Sequence, residues 1–159
     1  MSEQSSSKRI RRTETITLNA SPERAFPLFG PVREGEWAEG WAPEIVSADT
    51  PLAEEEGAVF ITRHEGQAET VWIVTRYEPS DYRIEYARVT PGATAVRVLI
   101  ACQAAPGGQT TARVTYEITP LGGTAPQQAE ATIRLVESHY PDMMKHWEMA
   151  INAALEKKG

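Results

Sequence analysis

The hydrophobic period of this chain changes once, at Pro120-Leu121-Gly122-Gly123, and that change constrains its fold more than any other feature. Ahead of it lie short, β-branched runs: Thr13–Leu18, Ile45–Ala48, Ala58–His64, Thr70–Tyr77, Tyr82–Val89, Thr94–Gln103 and Thr111–Thr119. Runs of this kind read as strands. From Ile45 onward only brief turn pieces separate them, such as Glu65-Gly66-Gln67, Pro79-Ser80-Asp81 and Thr90-Pro91-Gly92. Connections this short force antiparallel pairing. Behind the change, Gln127–Lys157 carries Ile133, Val136, Tyr140, Met143, Met144, Trp147, Ile151 and Leu155 at three- and four-residue steps. That spacing predicts one long amphipathic helix. Pro141 lies inside it and should kink it near Glu137, whose carbonyl loses its donor.

Between the first and second strands, Ser21-Pro22-Glu23-Arg24 opens a helix with a capping residue, a proline at the first position and an early acid. Pro27 keeps this helix short, and a second short turn is expected over Val32–Trp37. A meander of about seven strands has one apolar face to cover, and one long helix covers it. The expected fold is therefore α+β, a helix-grip. A curved seven-stranded antiparallel sheet wraps around the C-terminal helix, with two short N-terminal helices closing an end.

The chain has 159 residues, enough for one domain. Residues 1–12, rich in Ser and charge, are expected to form a flexible tail, with a single domain over 13–158. The sequence carries 22 acidic and 16 basic side chains, a net charge of −6. An acidic body lacks the cationic field that nucleic acid requires, so no nucleic-acid partner is expected. No apolar run approaches a membrane span, so stable membrane insertion is not expected either. Cys102 is the one cysteine, which excludes an internal disulfide and a cysteine zinc site. The polar N-terminus has no apolar segment behind it, and a cytoplasmic protein is expected.

Several segments give the chain a resemblance to the START-like superfamily, also called SRPBCC. They are Thr15-Ile16-Thr17-Leu18 with Ser21-Pro22-Glu23-Arg24-Ala25-Phe26, then Trp37-Ala38-Glu39-Gly40-Trp41. Tyr77-Glu78-Pro79 with Tyr82-Arg83-Ile84-Glu85-Tyr86, and Met143-Met144-Lys145-His146-Trp147, complete the set. The resemblance covers residues 13–158 and includes polyketide cyclases/dehydrases and lipid-transfer domains. It implies a cavity between sheet and helix that holds a hydrophobic or aromatic small molecule, in a monomer or homodimer. It does not imply a reaction. A cyclase- or dehydratase-like enzyme and a co-chaperone-like interaction module are the alternatives.

Strand alternation and helix phase nominate the residues of that cavity. Tyr86 and Arg88 share one face of their strand, Tyr116 and Val98 the same faces of theirs. Phe60 and Trp72 lie in strands apolar on both faces, so the side that lines the cavity is open. Trp37 and Trp41 cap the mouth or gate it. On the helix, Met143, Met144 and Trp147 belong to the apolar arc, with His139 and His146 beside it and Leu135, Met149 and Ala153 on a second apolar flank. If a reaction occurs, His139 or His146 is the acid/base candidate and Arg88 the oxyanion stabiliser. The alternative for both histidines is a wet rim. His139, Asp142 and His146 match no established metal motif, and no phosphate loop, G-x-S-x-G elbow or H-E-x-x-H pair occurs. No metal and no cofactor are expected. Glu54-Glu55-Glu56 reads as a solvated loop, and His64-Glu65 as an exposed hairpin end.

Overall fold

The computed structural model describes residues 9–158. Its strands are β1 (Ile10–Leu18), β2 (Glu44–Ser47), β3 (Val59–Thr62), β4 (Thr70–Glu78), β5 (Arg83–Thr90), β6 (Thr94–Ala105) and β7 (Gln109–Pro120). They form one antiparallel sheet in the order β1-β7-β6-β5-β4-β3-β2. Helix α1 (Pro22–Ala25) runs into a 3-10 turn at Phe26–Phe29, and a second 3-10 turn follows at Arg33–Glu36. Helix α2 (Pro126–Lys158) closes the chain. This is the expected helix-grip. Among the described residues no helix is long and apolar enough to cross a membrane.

Strand β1 begins earlier than the sequence suggests. Ile10, Arg11 and Arg12 pair with Ile118, Glu117 and Tyr116 of β7, so these three residues of the expected tail belong to the sheet. The physical reason is across the ladder. Arg11 forms an ion pair with Glu117, which Arg97 of β6 also holds at 3.0 Å. Cationic residues tolerate a strand when a carboxylate stands opposite. The rest of the expected tail, residues 1–8, lies outside the described residues.

Pairing aligns side chains into rows across the concave face. One row runs Phe60, Trp72, Arg88, Val96, Ile118 from β3 to β7. The next runs Val74, Tyr86, Val98, Tyr116. Phe60, Trp72, Val74, Tyr86, Val96, Val98, Tyr116 and Ile118 are all buried. The two doubtful strands are thereby sorted: Phe60 and Trp72 face in, while Val71 and Ile73 are exposed on the convex side. The register shifts between Val74 and Arg76 on β4, an irregularity of the kind that bends a strand.

Helix α2 lies chiefly along β1. It breaks at His139, whose backbone leaves the helical region (φ −127°, ψ 18°), two residues before Pro141. Val136, Tyr140, Met144, Ile151 and Leu155 are buried beneath it. Tyr140 donates its hydroxyl proton to the Val114 carbonyl at 2.8 Å and fixes the helix above β7. Glu148 and Asn152 tie the other end to the backbone of β1 through Thr17. The start of α2 is set at the β5–β6 turn. Gly92 (φ +78°) accepts the Ala125 amide there, and a Cβ at Gly92 would meet Thr124 Oγ1 at 2.6 Å. Cys102 is buried, and burial pushes its thiol up to about 12, an inert state.

Candidate functional site

Because α2 covers mostly the β1 side of the sheet, the concave surface of β3–β5 is closed by other parts. These are the two 3-10 turns and the segment that follows them. Gly30 and Pro31 turn the chain back toward the sheet, and the second 3-10 turn then sorts its charges by face. Arg33 and Glu36, three apart, pair with each other at 2.8 Å on the outer side. Glu34 and Trp37, also three apart, point in, since residues at that interval eclipse on a 3-10 turn. The Trp37 indole donates to the Leu28 carbonyl at 2.7 Å, and that of Trp41 to the Pro31 carbonyl at 2.7 Å.

Two aromatic clusters fill the concave side. In the first, Trp41 meets Trp72 edge-on with ring centres 5.3 Å apart, and Phe60 stacks on Trp72 at 5.4 Å. Tyr86 abuts both Phe60 and Trp72 edge-on. In the second, Trp37 and Trp147 meet at 5.2 Å, with Phe29 and Tyr116 packed on Trp147. Arg88 joins the two. Its guanidinium carbon lies 5.1 Å from the centre of the Trp72 ring and 5.8 Å from that of Tyr116. Ring faces attract a cation, more strongly where water is excluded.

Among the described residues the contacts to the guanidinium are those two rings. Arg88 Nε is buried without a hydrogen-bond partner, and among the described residues the side chain enters no ion pair within 4.0 Å. Glu34 is the carboxyl that faces it. Burial pushes the Glu34 carboxyl up to about 8, against the opposing pull of Arg88. Its side chain also has no hydrogen-bond partner among the described residues. A cation and a largely neutral carboxyl thus act on each other with no ion pair within 4.0 Å between them. An unsatisfied buried donor costs on the order of 1–3 kcal/mol, and each one calls for a partner, a water or a ligand among them.

The tyrosines divide. Tyr86 donates to the Phe29 carbonyl at 2.6 Å, so its hydroxyl serves the fold. Tyr116 has no such partner among the described residues. Burial pushes its phenol up to about 12, with Arg88 drawing it down and Glu34 adding to the rise. At neutral pH it remains a proton donor.

Of the residues the sequence nominates, Trp37, Trp41, Phe60, Trp72, Tyr86, Arg88, Val98, Tyr116, Met143, Met144 and Trp147 gather on the inner side as buried or half-buried groups. His139 and His146 do not. Both are exposed, as are Leu135, Met149 and Ala153 of the expected second flank. The acid/base assignment to these histidines is therefore corrected. A helical wheel orders the residues of α2 by angle but not by how much arc the sheet covers. With α2 seated along β1 that arc is narrow. The loop assignment at Glu54 also changes. The strained Ala53 (φ 57°) is wholly buried, and it turns Glu54 inward, so that Oε2 is buried without a partner. Burial raises the Glu54 carboxyl, with Arg33 and then Tyr77 opposing the rise.

Glu34 is the residue that sequence reasoning missed. It sits in the charged run Arg33-Glu34-Gly35-Glu36, which looks solvated. The available signal was its spacing of three from Trp37, read as one face of a tight turn.

Comparisons with known proteins agree with this architecture. A family model described as polyketide cyclase / dehydrase and lipid transport matches residues 9–146. The Zhui aromatase/cyclase from Streptomyces superposes with a TM-score of 0.70 at 11% identity, covering 95% of this chain and 96% of that one. Truncated norcoclaurine synthase from Thalictrum flavum gives 0.67 at 11% identity, covering 96% and 97%. A START superfamily protein from Mycobacterium smegmatis gives 0.64 at 14% identity, covering 94% and 99%. At these identities the likeness is one of fold. No curated protein matches the sequence.

Proposed function

The chain belongs to the polyketide cyclase / dehydrase and lipid transport family, and from that premise we propose that its concave face binds a flat, apolar or aromatic small molecule carrying one polar oxygen. The observation that carries this reading is Arg88. Its guanidinium lies between Trp72 and Tyr116 with a buried, unpartnered Nε. A guanidinium in such a place suits a carboxylate, phenolate or carbonyl oxygen, to which its fork presents donors in a fixed geometry. The rings of Trp37, Trp41, Trp72 and Trp147 supply flat apolar surface, and Met143 an adaptable edge. The outward histidines take no part.

A second reading, cyclase-like chemistry at the same face, is supported by Glu34. Ionised Glu34 would accept a proton from a carbon beside a ligand carbonyl. The C–H bond breaks, the O–H bond forms on the carboxyl, and the negative charge passes to the oxygen held by Arg88.

The test is titration with 2-naphthoate and with 2-acetonaphthone, flat probes that differ in the charge of the oxygen. Both should bind the wild type. Arg88→Met should weaken naphthoate at least 30-fold, the range for a lost charged hydrogen bond. Equal naphthoate affinity in wild type and Arg88→Met would remove Arg88 from the site.

A further inference from the structure

Strand β1 forms one edge of the sheet. In an antiparallel pair, alternate residues of such a strand turn their backbone N–H and C=O groups outward. Thr17 shows which set this is. Its N–H donates to Glu148 Oε2 at 2.7 Å, and its C=O accepts from the Asn152 side-chain amide at 3.1 Å. The register with β7 runs without a shift from Ile10 to Leu18, so Arg11, Thr13 and Thr15 are in phase with Thr17 and also turn outward. The Arg11 C=O accepts from the Arg12 guanidinium at 3.0 Å. The other outward groups of Arg11, Thr13 and Thr15 have no partner among the described residues.

Helix α2 leaves this stretch open. At Tyr140 it stands above β7, on the carbonyl of Val114, which is the cross-strand partner of Glu14. It reaches the outer edge of β1 through Glu148 and Asn152, at Thr17 and Asn19. The opposite edge of the sheet is protected by its own shape. Strand β2 has four residues, and its register shifts between Ile45 and Ser47. Short, irregular edges resist pairing, whereas β1 is nine residues long and regular.

We propose that Arg11–Thr15 pairs with the same stretch of a second copy of this chain, antiparallel and centred on Thr13, so that the two sheets join edge to edge. Thr13 then faces the partner's Thr13, Arg11 faces the partner's Thr15, and Arg12 faces the partner's Glu14. The charges select this register. Arg12 and Glu14 lie on the concave side, opposite Tyr116 and Val114 of β7, and neither enters an ion pair within 4.0 Å among the described residues. Because the outward groups belong to alternate residues, one copy can slide against the other only by two residues at a time. A slide one way sets Arg12 against the partner's Arg12. A slide the other way sets Glu14 against the partner's Glu14. Like charges directly opposite are destabilising, and unlike charges are favourable. Arg12 and the partner's Glu14 also form the non-hydrogen-bonded kind of pair, in which side chains approach most closely.

The ladder has a defined end. Thr17, the next outward residue, is already held by α2 in each copy, so pairing stops at Thr15. On association the Arg11 C=O takes the N–H of the partner's Thr15, and the Arg12 guanidinium moves to the partner's carboxylate. Such an interface is isologous and closes as a two-fold dimer. A strand edge buries less than a standard interface, so the dissociation constant is expected on the order of 10–100 µM. The inference goes beyond the ligand-binding reading and is separate from it, because that reading concerns the concave face at β3–β5.

Sedimentation equilibrium of the full chain at low salt tests the pairing. The wild type should approach the mass of a dimer as its concentration rises through that range. Arg12→Glu sets two carboxylates against each other, and Glu14→Arg sets two guanidinium groups. Each variant alone should associate about tenfold more weakly or worse. An equimolar mixture of the two should associate again, because both cross-strand pairs are then unlike. Thr13→Pro in both partners should abolish the mixed dimer, since it deletes an outward N–H that β7 does not use. Circular dichroism checks that each variant is folded, and if Thr13→Pro is not, the charge exchange decides alone. A wild type that stays monomeric at about 1 mM overturns the proposal. So does a dimer that survives Arg12→Glu, a mixture that fails to associate, or a mixture indifferent to a folded Thr13→Pro.

Discussion

Arg88 and Trp72 are direct cross-strand partners, and the guanidinium carbon of one lies 5.1 Å from the ring centre of the other. The sheet register itself puts the cation over the indole. The ring is fixed in turn, since Trp72 donates its indole N–H to Thr62 Oγ1 at 2.9 Å. Arg88 is thus positioned in advance with no carboxylate within 4.0 Å among the described residues, which leaves its donors for something else. The cost of that arrangement is borne by the fold.

Arg88→Leu should therefore stabilise the protein. It removes a partly desolvated charge and an orphaned buried N–H while keeping apolar bulk, a change worth on the order of 1–2 kcal/mol. Urea denaturation at pH 6, where Glu34 is protonated, measures it. A loss of stability there would mean that Arg88 serves the fold.

Glu34→Gln should stabilise the protein in a pH-dependent way. The folded carboxyl sits at about 8 against 4.5 for its ordinary value. The folded state therefore binds more protons across that window, and wild-type stability contributed by this group falls as pH rises from 4.5 to 8. The glutamine variant escapes the penalty. Its advantage should be absent below about pH 4, grow through the window and level off above pH 8 at roughly 2–4 kcal/mol, allowing for the partial exposure of Glu34. Denaturation curves at a series of pH values decide it. A constant difference across pH would show that Glu34 titrates normally.

Much of this architecture is legible in the sequence, and the failures have physical causes. Alternation placed Tyr86, Arg88, Val98 and Tyr116 on the inner face because their neighbours Glu85, Arg97 and Glu117 are charged. It was silent for Phe60 and Trp72, because Ile61, Val71 and Ile73 make the convex face of β3 and β4 apolar too. Arg11 and Arg12 read as tail because composition alone does not reveal a carboxylate on a strand about a hundred residues away. Glu34 read as solvent-facing because a charged run does not say which of its members a 3-10 turn will half-bury. The same gap between local pattern and tertiary cover left His139 and His146 open between the cavity and a wet rim, and their exposure is that of the rim.

Those two histidines supply a control. His139→Ala and His146→Ala should leave naphthoate affinity within twofold and stability within about ±0.5 kcal/mol, as for exposed positions elsewhere. Titration and thermal unfolding check both. A tenfold loss of affinity in either variant would return that side of α2 to the site.

Trp37 and Trp147 clasp the second 3-10 turn to α2, with ring centres 5.2 Å apart at 63°. Trp147→Ala should cost about 2–4 kcal/mol, less than a fully buried tryptophan because this one is half-buried. Exposed Lys145→Ala should cost within about ±0.5 kcal/mol. A double-mutant cycle of Trp37→Ala and Trp147→Ala should return a coupling of about 0.5–1.5 kcal/mol. Additive losses would show that the two rings do not act together.

Tyr86→Phe should cost about 1–3 kcal/mol, because it strands the buried Phe29 carbonyl that Tyr86 satisfies at 2.6 Å. Equilibrium unfolding measures the cost. Unchanged stability combined with weakened naphthoate binding would assign the hydroxyl to the ligand.

The central claim is that the Arg88 guanidinium receives the ligand, and Arg88 Nε–H reports on it directly. In 15N-resolved NMR spectra, addition of 2-naphthoate at pH 7 should shift the Arg88 Nε–H resonance downfield and slow its exchange with water, as a buried donor gains an acceptor. An Arg88 resonance that stays in place while shifts cluster on the convex face, around Arg83 and Arg113, would contradict the account.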